Sequence, residues 1–209
     1  MKNIFNDLVV FNTNQLANNT YVLINNNHCV IIDPSTYELE LVQYITKHNL
    51  IVDGIVLTHG HYDHIMSAFN VAKYFEVKIY AHKQEEKVIT KYSCARELFG
   101  VNPNIHNELV VYLDQNEWTI GNFKFSVIHT PGHTCGCVCL TYKNYVFTGD
   151  TLFIEDIGRT DLPTGDQEQM NQSLALIKKT IKDDQYILCG HNDKYVQFKQ
   201  VKQINTFLR

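Results

Sequence analysis

Short runs of apolar residues recur along the whole chain, and polar residues separate one run from the next. In one run Phe123, Phe125 and Val127 alternate with polar neighbours, which is the period-2 pattern of a half-buried strand. The runs predict strands over residues 8–11, 21–24, 30–32, 54–57, 78–81, 109–113, 123–128, 137–142, 145–148 and 186–188.

Segments with helical spacing interrupt these strands. Near the C-terminus Met170, Leu174, Ile177 and Ile181 recur every three or four residues, as on the buried face of an amphipathic helix. Helices are predicted over residues 39–48, 65–74 and 167–182. Because strands and helices mix without a strict βαβ rhythm, the pattern favours an α/β fold in which a sandwich of sheets is flanked by helices.

The composition narrows the class of protein. A chain of 209 residues with 44% hydrophobic and 19% charged residues fits one large globular domain. The formal charge of −4 and the pI near 6.2 argue against a nucleic-acid partner, which would require a basic face.

The chain also lacks the usual signals for membranes and secretion. No apolar run approaches the roughly 20 residues needed to cross a bilayer. The first residues do not resemble a secretory signal, so we expect no membrane partner and a cytoplasmic location. The six cysteines are then expected to be free thiols rather than a disulfide framework.

One loop concentrates candidate metal ligands. The stretch THGHYDH (58–64) follows a predicted strand and offers His59, His61, Asp63 and His64. A hydrophilic loop that opens a helix would account for Asp63, but it would not account for three histidines beside it. Imidazole and carboxylate donors suit Zn²⁺, and also Fe or Mn.

Three later segments each supply one more candidate ligand at the end of a predicted strand. They are His133 in HTPGHT, Asp150 in FTGD and His191 in LCGH. A lone histidine is usually a surface or satisfied core residue, but the set is stronger than its members. His129 is not assigned to metal, because it precedes the Pro131–Gly132 turn and is expected to orient that turn or to pack.

These motifs carry a family resemblance. T-H-x-H-x-D-H, H-T-P-G-H-T, T-G-D and G-H occur in the order and spacing of the metallo-β-lactamase-fold hydrolases. NNTYVLI (18–24) and VIIDPS (30–35) resemble the family's opening hairpin, and GDTLFIEDIGRTDLPTGD (149–166) resembles the loop of the short glyoxalase II-like and persulfide dioxygenase branches.

The resemblance implies an αββα sandwich, as a single domain over residues 1–209, with a dinuclear metal site. One divalent ion would be held by His59, His61 and His133, the other by Asp63, His64 and His191, with Asp150 bridging them. Zn²⁺ is the first choice for both ions, with Fe or Mn as alternatives.

The same resemblance implies metal-assisted hydrolysis of a small molecule. Two divalent ions would lower the pKa of a water and supply a hydroxide nucleophile, while the catalytic Asp63 holds or shuttles its proton. A thioester such as S-lactoylglutathione is the first choice of substrate, because it expels a low-pKa thiolate without help from an acid.

Two further features bear on the substrate. Arg159 in IGRTDLP could bind an anionic end of the substrate, or it could pair with Asp161 and hold the loop, which we favour. Tyr92 and Arg96, in a helical-looking segment, could line the entrance, although a solvated helix is the better interpretation.

Proteins of this family also have other activities, and the sequence favours them less. Asp150 stands where the best-known zinc β-lactamases use cysteine, and His64 where they carry arginine, which disfavours antibiotic cleavage. The serious alternative is a persulfide dioxygenase that binds a single iron through His59, His133 and Asp150. RNA-processing nucleases share the motif core but fit the acidic balance poorly, and a non-catalytic binding module does not explain a complete ligand set.

Some positions depart from the family pattern. The chain ends at Arg209, without room for the helical extension by which full-length glyoxalase II grips glutathione, and Cys189 and Asn192 flank the G-H motif where proline and glycine are usual. The alternating Cys135, Cys137 and Cys139 are expected on one face of a strand. Cys137 and Cys139 are interpreted as small buried hydrophobes, whereas Cys135 could lie near the metals.

Overall fold

Two β-sheets face each other in the structure, a computed structural model, and helices cover the outer face of each sheet. The structure describes residues 1–12, 17–35, 38–191 and 194–209, and every side chain among them except those at positions 3, 96 and 97. The predicted αββα sandwich is confirmed.

The first sheet comes from the first half of the chain. Its strands are β1 (Lys2–Phe5), β2 (Leu8–Phe11), β3 (Thr20–Asn25), β4 (His28–Ile32), β5 (Ile51–Val56), β6 (Ile79–His82) and β7 (Val110–Leu113). They lie in the sheet in their chain order. The strands from β4 to β7 pair in parallel, because each helical connection carries the chain back to the end of the sheet at which the previous strand began.

The second sheet comes from the second half. Its strands are β8 (Glu117–Ile120), β9 (Phe123–His129), β10 (Val138–Tyr142), β11 (Tyr145–Gly149), β12 (Tyr186–Cys189) and β13 (Val196–Gln197). Neighbours in the chain are again neighbours in the sheet. Only the β11–β12 pair is parallel among these described strands, and a long helix connects the two.

Helices form the outer layers. They are α1 (Glu38–Lys47), α2 (Tyr62–Ile65), α3 (Ala68–Phe75), α4 (Glu86–Lys91), α5 (Ala95–Phe99), α6 (Gln167–Thr180) and α7 (Phe198–Ile204). The Asp166 side chain accepts a hydrogen bond from the Gln169 amide at 2.9 Å and so caps α6. In the part of the chain that the structure describes, no helix is both long and apolar enough to span a bilayer.

Three apolar layers hold the sandwich together. The central layer, between the sheets, contains Phe123 and Phe125 from β9 against Leu23 and Ile32 from the first sheet, all fully buried. A second layer packs α1 and α3 on the first sheet. The third packs α6 and α7 on the second sheet, with Met170, Leu174, Ile177 and Ile181 facing inward as their spacing predicted.

The predicted elements are found with small shifts, except one helix. The predicted helix over 65–74 is not continuous, because the helical conformation is interrupted between α2 and α3. There the Ser67 amide and hydroxyl both donate to the Pro34 carbonyl, at 3.0 and 2.9 Å. Sequence patterning missed β1, β8, β13, α4 and α7, which are short elements.

Candidate metal centre

The seven predicted ligands come together at one edge of the sandwich. They follow the C-terminal ends of four strands: β5, β9, β11 and β12. They are His59, His61, Asp63, His64, His133, Asp150 and His191. Strand ends are where polar side chains of separate segments can meet without disturbing the core.

The first group of donors consists of His59, His61 and His133. One ring nitrogen from each lies within 4.8 Å of the others. His61 Nδ1 is 2.8 Å from His133 Nε2, and the His59 ring stands 4.9 Å from each of the other two rings. All three residues are buried.

The second group consists of Asp63, His64 and His191. Asp63 Oδ2 lies 3.5 Å from His191 Nε2 and 4.0 Å from His64 Nε2. The Asn18 side-chain amide donates to the same Asp63 oxygen at 3.1 Å. The carboxylate is thereby held facing both imidazoles.

Asp150 lies between the two groups. Its Oδ1 is 3.3 Å from His64 Nε2, and its Oδ2 is 3.2 Å from His191 Nε2. The same Oδ2 is 3.6 Å from His133 Nε2, in the first group. One carboxylate therefore faces donors of both groups, as a bridging ligand would.

A glycine makes this approach possible. A Cβ added to Gly190 would lie 2.1 Å from Asp150 Oδ1 and 2.6 Å from the His64 ring. Any side chain at this position would displace a carboxylate oxygen that faces the second group.

Hydrogen bonds outside the cluster fix which nitrogen of each ring points inward. His133 Nδ1 donates to the Arg159 carbonyl at 2.7 Å. His64 Nδ1 donates to Asp33 Oδ2 at 3.0 Å. Thr58 donates its hydroxyl proton to Asp33, so its oxygen accepts from His59 Nδ1 at 3.2 Å. In each of these three rings Nε2 is therefore the nitrogen that faces the centre.

Electrostatics keep the first group neutral. Burial, followed by the His64 and His133 rings, lowers the pKa of His59 well below its usual value. Burial and then His133 lower the pKa of His61 to about 3. Both rings are therefore unprotonated at neutral pH, which is the form that ligates metal.

Carboxylate charge dominates the second group. Burial alone would lower the pKa of His64, but Asp150 and Asp63 outweigh it and raise that pKa well above its usual value. Burial is likewise outweighed by Asp150 at His191, whose pKa rises to about 10. Burial would raise the pKa of Asp63, yet His64 and His191 lower it to about 2. Positive charge is therefore strongly favoured beside these carboxylates.

Several buried donor atoms in the cluster have no hydrogen-bond partner among the described residues. They are Nε2 of His59, His61 and His64, and Oδ1 of Asp150. An unpartnered buried polar atom is costly and therefore rare. The nitrogen and oxygen chemistry of these residues fits Zn²⁺, Fe or Mn. The residues fit a divalent metal centre.

Two carboxylates that support this centre were not predicted from the sequence. Asp33 accepts from the Thr58 amide at 2.8 Å, in addition to its bonds with the Thr58 hydroxyl and His64. Glu85 is fully buried and accepts from the Gly60 amide at 2.6 Å. Burial raises the pKa of Glu85 to about 7, against hydrogen bonds that lower it. The position of Asp33 within VIIDPS was a signal, but Glu85 stands in a charged run that resembles a solvated surface.

A cavity of about 300 Å³ opens onto the cluster. Its wall is largely apolar, with Leu98 and Phe99 from α5 and Phe153 and Leu162 from the loop after β11. Arg159 lines the same cavity.

The Arg159 guanidinium pairs with the Asp161 carboxylate through two hydrogen bonds, of 2.6 and 2.7 Å. Both side chains are exposed. This is the pair that the loop interpretation expects, and a role for Arg159 in substrate binding stays a prediction.

The remaining predicted residues lie as follows. His129 Nε2 donates to the Cys135 carbonyl at 2.9 Å and so holds the turn that carries His133, as expected. Tyr92 is the C-cap residue that follows α4, and it is not among the described residues that line the cavity. The side chain of Arg96 and the whole of Asn192 lie outside the described residues.

The cysteine run differs in part from the prediction. Only Cys139 belongs to β10, because the strand begins at Val138, and Cys135 and Cys137 lie in the turn before it. Cys137 and Cys139 are buried, as expected. Cys135 is half-buried, and its thiol donates to the Gln84 carbonyl at 3.2 Å.

Comparison with known proteins gives one consistent result. The family model of the metallo-beta-lactamase superfamily matches residues 13–191. The hydroxyacylglutathione hydrolase GloC of Haemophilus influenzae is 34% identical over 187 residues, which cover 87% of each chain. Among solved structures, BLEG-1 B3 metallo-beta-lactamase is 30% identical, with a TM-score of 0.87 over 96% of this chain and 99% of the other. TTHA1623 in a di-iron-bound form is 25% identical, with a TM-score of 0.84 over 96% and 100%.

Proposed function

Because the chain belongs to the metallo-beta-lactamase superfamily, we propose that it is a dinuclear metal-dependent hydrolase that cleaves a small thioester. The observation that carries this proposal is the pair of donor groups with Asp150 between them. A single group would suffice for one ion. Two groups, each with three donors and joined by one carboxylate, support two.

The ligand assignment is part of the proposal. One ion would be held by His59, His61 and His133, the other by Asp63, His64 and His191, and Asp150 would bridge them. Divalent ions bound there would supply a hydroxide nucleophile at neutral pH and polarise the substrate carbonyl. Zn²⁺ is our first choice, because imidazole and carboxylate are its usual ligands.

We propose that Asp63 is the residue that accepts a hydrogen bond from the attacking water and holds or shuttles its proton. Its carboxylate lines the cavity, and the Asn18 amide holds one of its oxygens. The low pKa of about 2 keeps this group ionised, so it orients a water as an acceptor rather than as an acid.

Two observations support a thioester. The relative GloC is named a hydroxyacylglutathione hydrolase, and its match covers most of both chains. A thiolate also leaves without protonation, because thiols are far more acidic than alcohols or amines. We propose that Arg159 contacts the substrate only at the rim of the cavity, since Asp161 already holds its guanidinium.

The alternative is a persulfide dioxygenase with a single iron on His59, His133 and Asp150. It leaves the group of Asp63, His64 and His191 without a purpose. Cleavage of β-lactams is a further outcome to test, because BLEG-1 is titled a B3 metallo-beta-lactamase.

The test begins with protein purified without added metal and the number of ions per chain. Thiol release from S-lactoylglutathione is then followed without oxygen, beside oxygen uptake on glutathione persulfide and hydrolysis of a chromogenic cephalosporin. Two ions per chain with anaerobic thiol release is the expected result. One iron per chain with oxygen uptake on the persulfide would overturn the hydrolase proposal.

Two variants check that the measured activity belongs to this site. His133→Ala removes a proposed ligand of the first ion and should abolish activity. Asp53→Asn, in a half-buried pair with His28 at 2.7 Å that lies outside the cluster, is the matched control and should leave activity intact. Full activity in His133→Ala would argue for a non-catalytic protein and a contaminating enzyme.

A further inference from the structure

We propose that Glu85 is a positioning residue that fixes the distance between the two loops carrying the first group of metal ligands. The inference rests on the proposed metal centre. Glu85 ends the short helical turn Lys83–Glu85 that follows β6, and its side chain is fully buried. It is not a ligand itself, and it reaches loops that belong to different sheets.

Each carboxylate oxygen serves one loop. Oε2 accepts from the Gly60 amide at 2.6 Å, and Gly60 stands between His59 and His61. Oε1 accepts from the Thr134 hydroxyl at 2.5 Å and from the Gly136 amide at 2.8 Å. Thr134 directly follows His133. The donors are therefore within one to three residues of ligands on both sides.

The three donors require a carboxylate. An ionised glutamate only accepts hydrogen bonds, and it offers enough lone pairs for all three. Bonds to an ionised acceptor are also shorter and about twice as strong as neutral ones. Glutamine would present an NH₂ donor to one loop, and aspartate is one methylene shorter.

The surrounding backbone is shaped for this contact. A Cβ added to Gly136 would lie 2.7 Å from both the Glu85 amide nitrogen and its Oε1. The loop can approach only because position 136 carries no side chain. On the other side, Ile89 of α4 is buried and packs in the layer outside the first sheet, so the segment that carries Glu85 is well anchored.

Direct links between the two loops are otherwise few. The Val138 amide donates to the Thr58 carbonyl at 3.0 Å. His61 Nδ1 and His133 Nε2, which the loops bring to 2.8 Å, are the donors whose separation must match an ion. Loss of the carboxylate would make both loops more mobile. Metal binding would then have to order them, and this entropy cost would lower the affinity for metal.

The test compares zinc affinities, measured by competition with a chromophoric chelator, in four proteins. They are the wild type and its Glu85→Gln, Thr134→Val and Thr134→Ser variants. Thr134→Val removes one donor but keeps the buried charge, and Thr134→Ser keeps the hydroxyl. Far-UV circular dichroism and urea unfolding of the metal-free proteins show that each variant is folded.

We expect Glu85→Gln to weaken zinc binding about 10- to 100-fold, which is the usual effect of mutating a residue that supports metal ligands. Thr134→Val should weaken it about tenfold, and Thr134→Ser should stay near the wild type. If Glu85→Gln does not fold, the comparison of valine with serine at position 134 decides.

Wild-type affinity in both folded Glu85→Gln and Thr134→Val would overturn the positioning role and leave the proposed hydrolase standing. A wild type that binds zinc tightly but cleaves no thioester would overturn the proposed substrate and leave the role of Glu85 intact. A wild type without affinity for zinc would overturn both.

Discussion

Replacing Asp33 with asparagine should weaken binding of the second ion of the proposed centre more than binding of the first. The carboxylate accepts from His64 Nδ1 at 3.0 Å, from the Thr58 amide at 2.8 Å and from the Thr58 hydroxyl at 2.6 Å. Asparagine keeps one acceptor oxygen and turns an NH₂ group toward the other donors. His64 then loses the acceptor that keeps the proton on Nδ1, and its Nε2 loses the lone pair that ligation needs.

The size of the effect follows from one charged hydrogen bond. Such a bond is worth about 1.5–3 kcal/mol, which corresponds to a loss of about 10- to 150-fold in affinity for the second ion. The metal-free protein should also lose about 1–3 kcal/mol of unfolding free energy, because Asp33 is buried and its partners are left unpaired.

Zinc titration against a chelating indicator measures both steps. The wild type should bind two ions, and Asp33→Asn one ion tightly and the other weakly or not at all. Asp53→Asn removes an aspartate that faces His28 at the other end of β5, so it controls for the loss of an aspartate–histidine pair. Two ions bound by Asp33→Asn with unchanged affinities would refute the reasoning about the His64 proton.

Three other predictions concern single residues. In metal-free protein the pKa of Glu85 rises from 4.5 to about 7 on folding, so its stabilising contribution is present below pH 4.5 and is lost as the pH rises through 7. The unfolding free energy of the wild type relative to Glu85→Gln should thus fall by about 3 kcal/mol over this range in urea titrations, and a flat difference would contradict the burial argument. Gly190→Ala should displace Asp150, and the loss of this proposed ligand should lower turnover at least about 100-fold and also lower the metal content. Normal metal content would show that the loop accommodates the added methyl group. If the Arg159–Asp161 pair only holds its loop, Arg159→Gln and Asp161→Asn should change KM equally, whereas an effect of the arginine variant alone would indicate a substrate contact.

The sequence was sufficient to single out these seven residues as one candidate set, because four of them share one loop and the other three each stand in a motif at a strand end. His133 follows a Pro–Gly turn, Asp150 ends FTGD and His191 ends LCGH, so strand ends and donor chemistry coincide in the pattern. The layers of the sandwich were predictable because burial of one face imposes a period of two on the apolar residues of strands and of 3.6 on those of helices.

What the sequence could not reveal depends on contacts between distant segments. Glu85 is 25 residues from one partner and 51 from another, and nothing in HKQEEK distinguishes it from a solvated charge. The break between α2 and α3 arises from Ser67 donating to Pro34, a partner that periodicity does not encode. Edge strands such as β13, with two residues, are too short to show a pattern.

The division of the chain between the sheets has a consequence during biosynthesis. The first sheet is complete at Leu113, and a nascent chain of that length already carries His59, His61, Asp63 and His64. Asp150, the proposed bridging ligand, and His191, the last proposed ligand, belong to the half that is translated later. On the proposed assignment, the complete ligand set therefore exists only after that half has emerged from the ribosome.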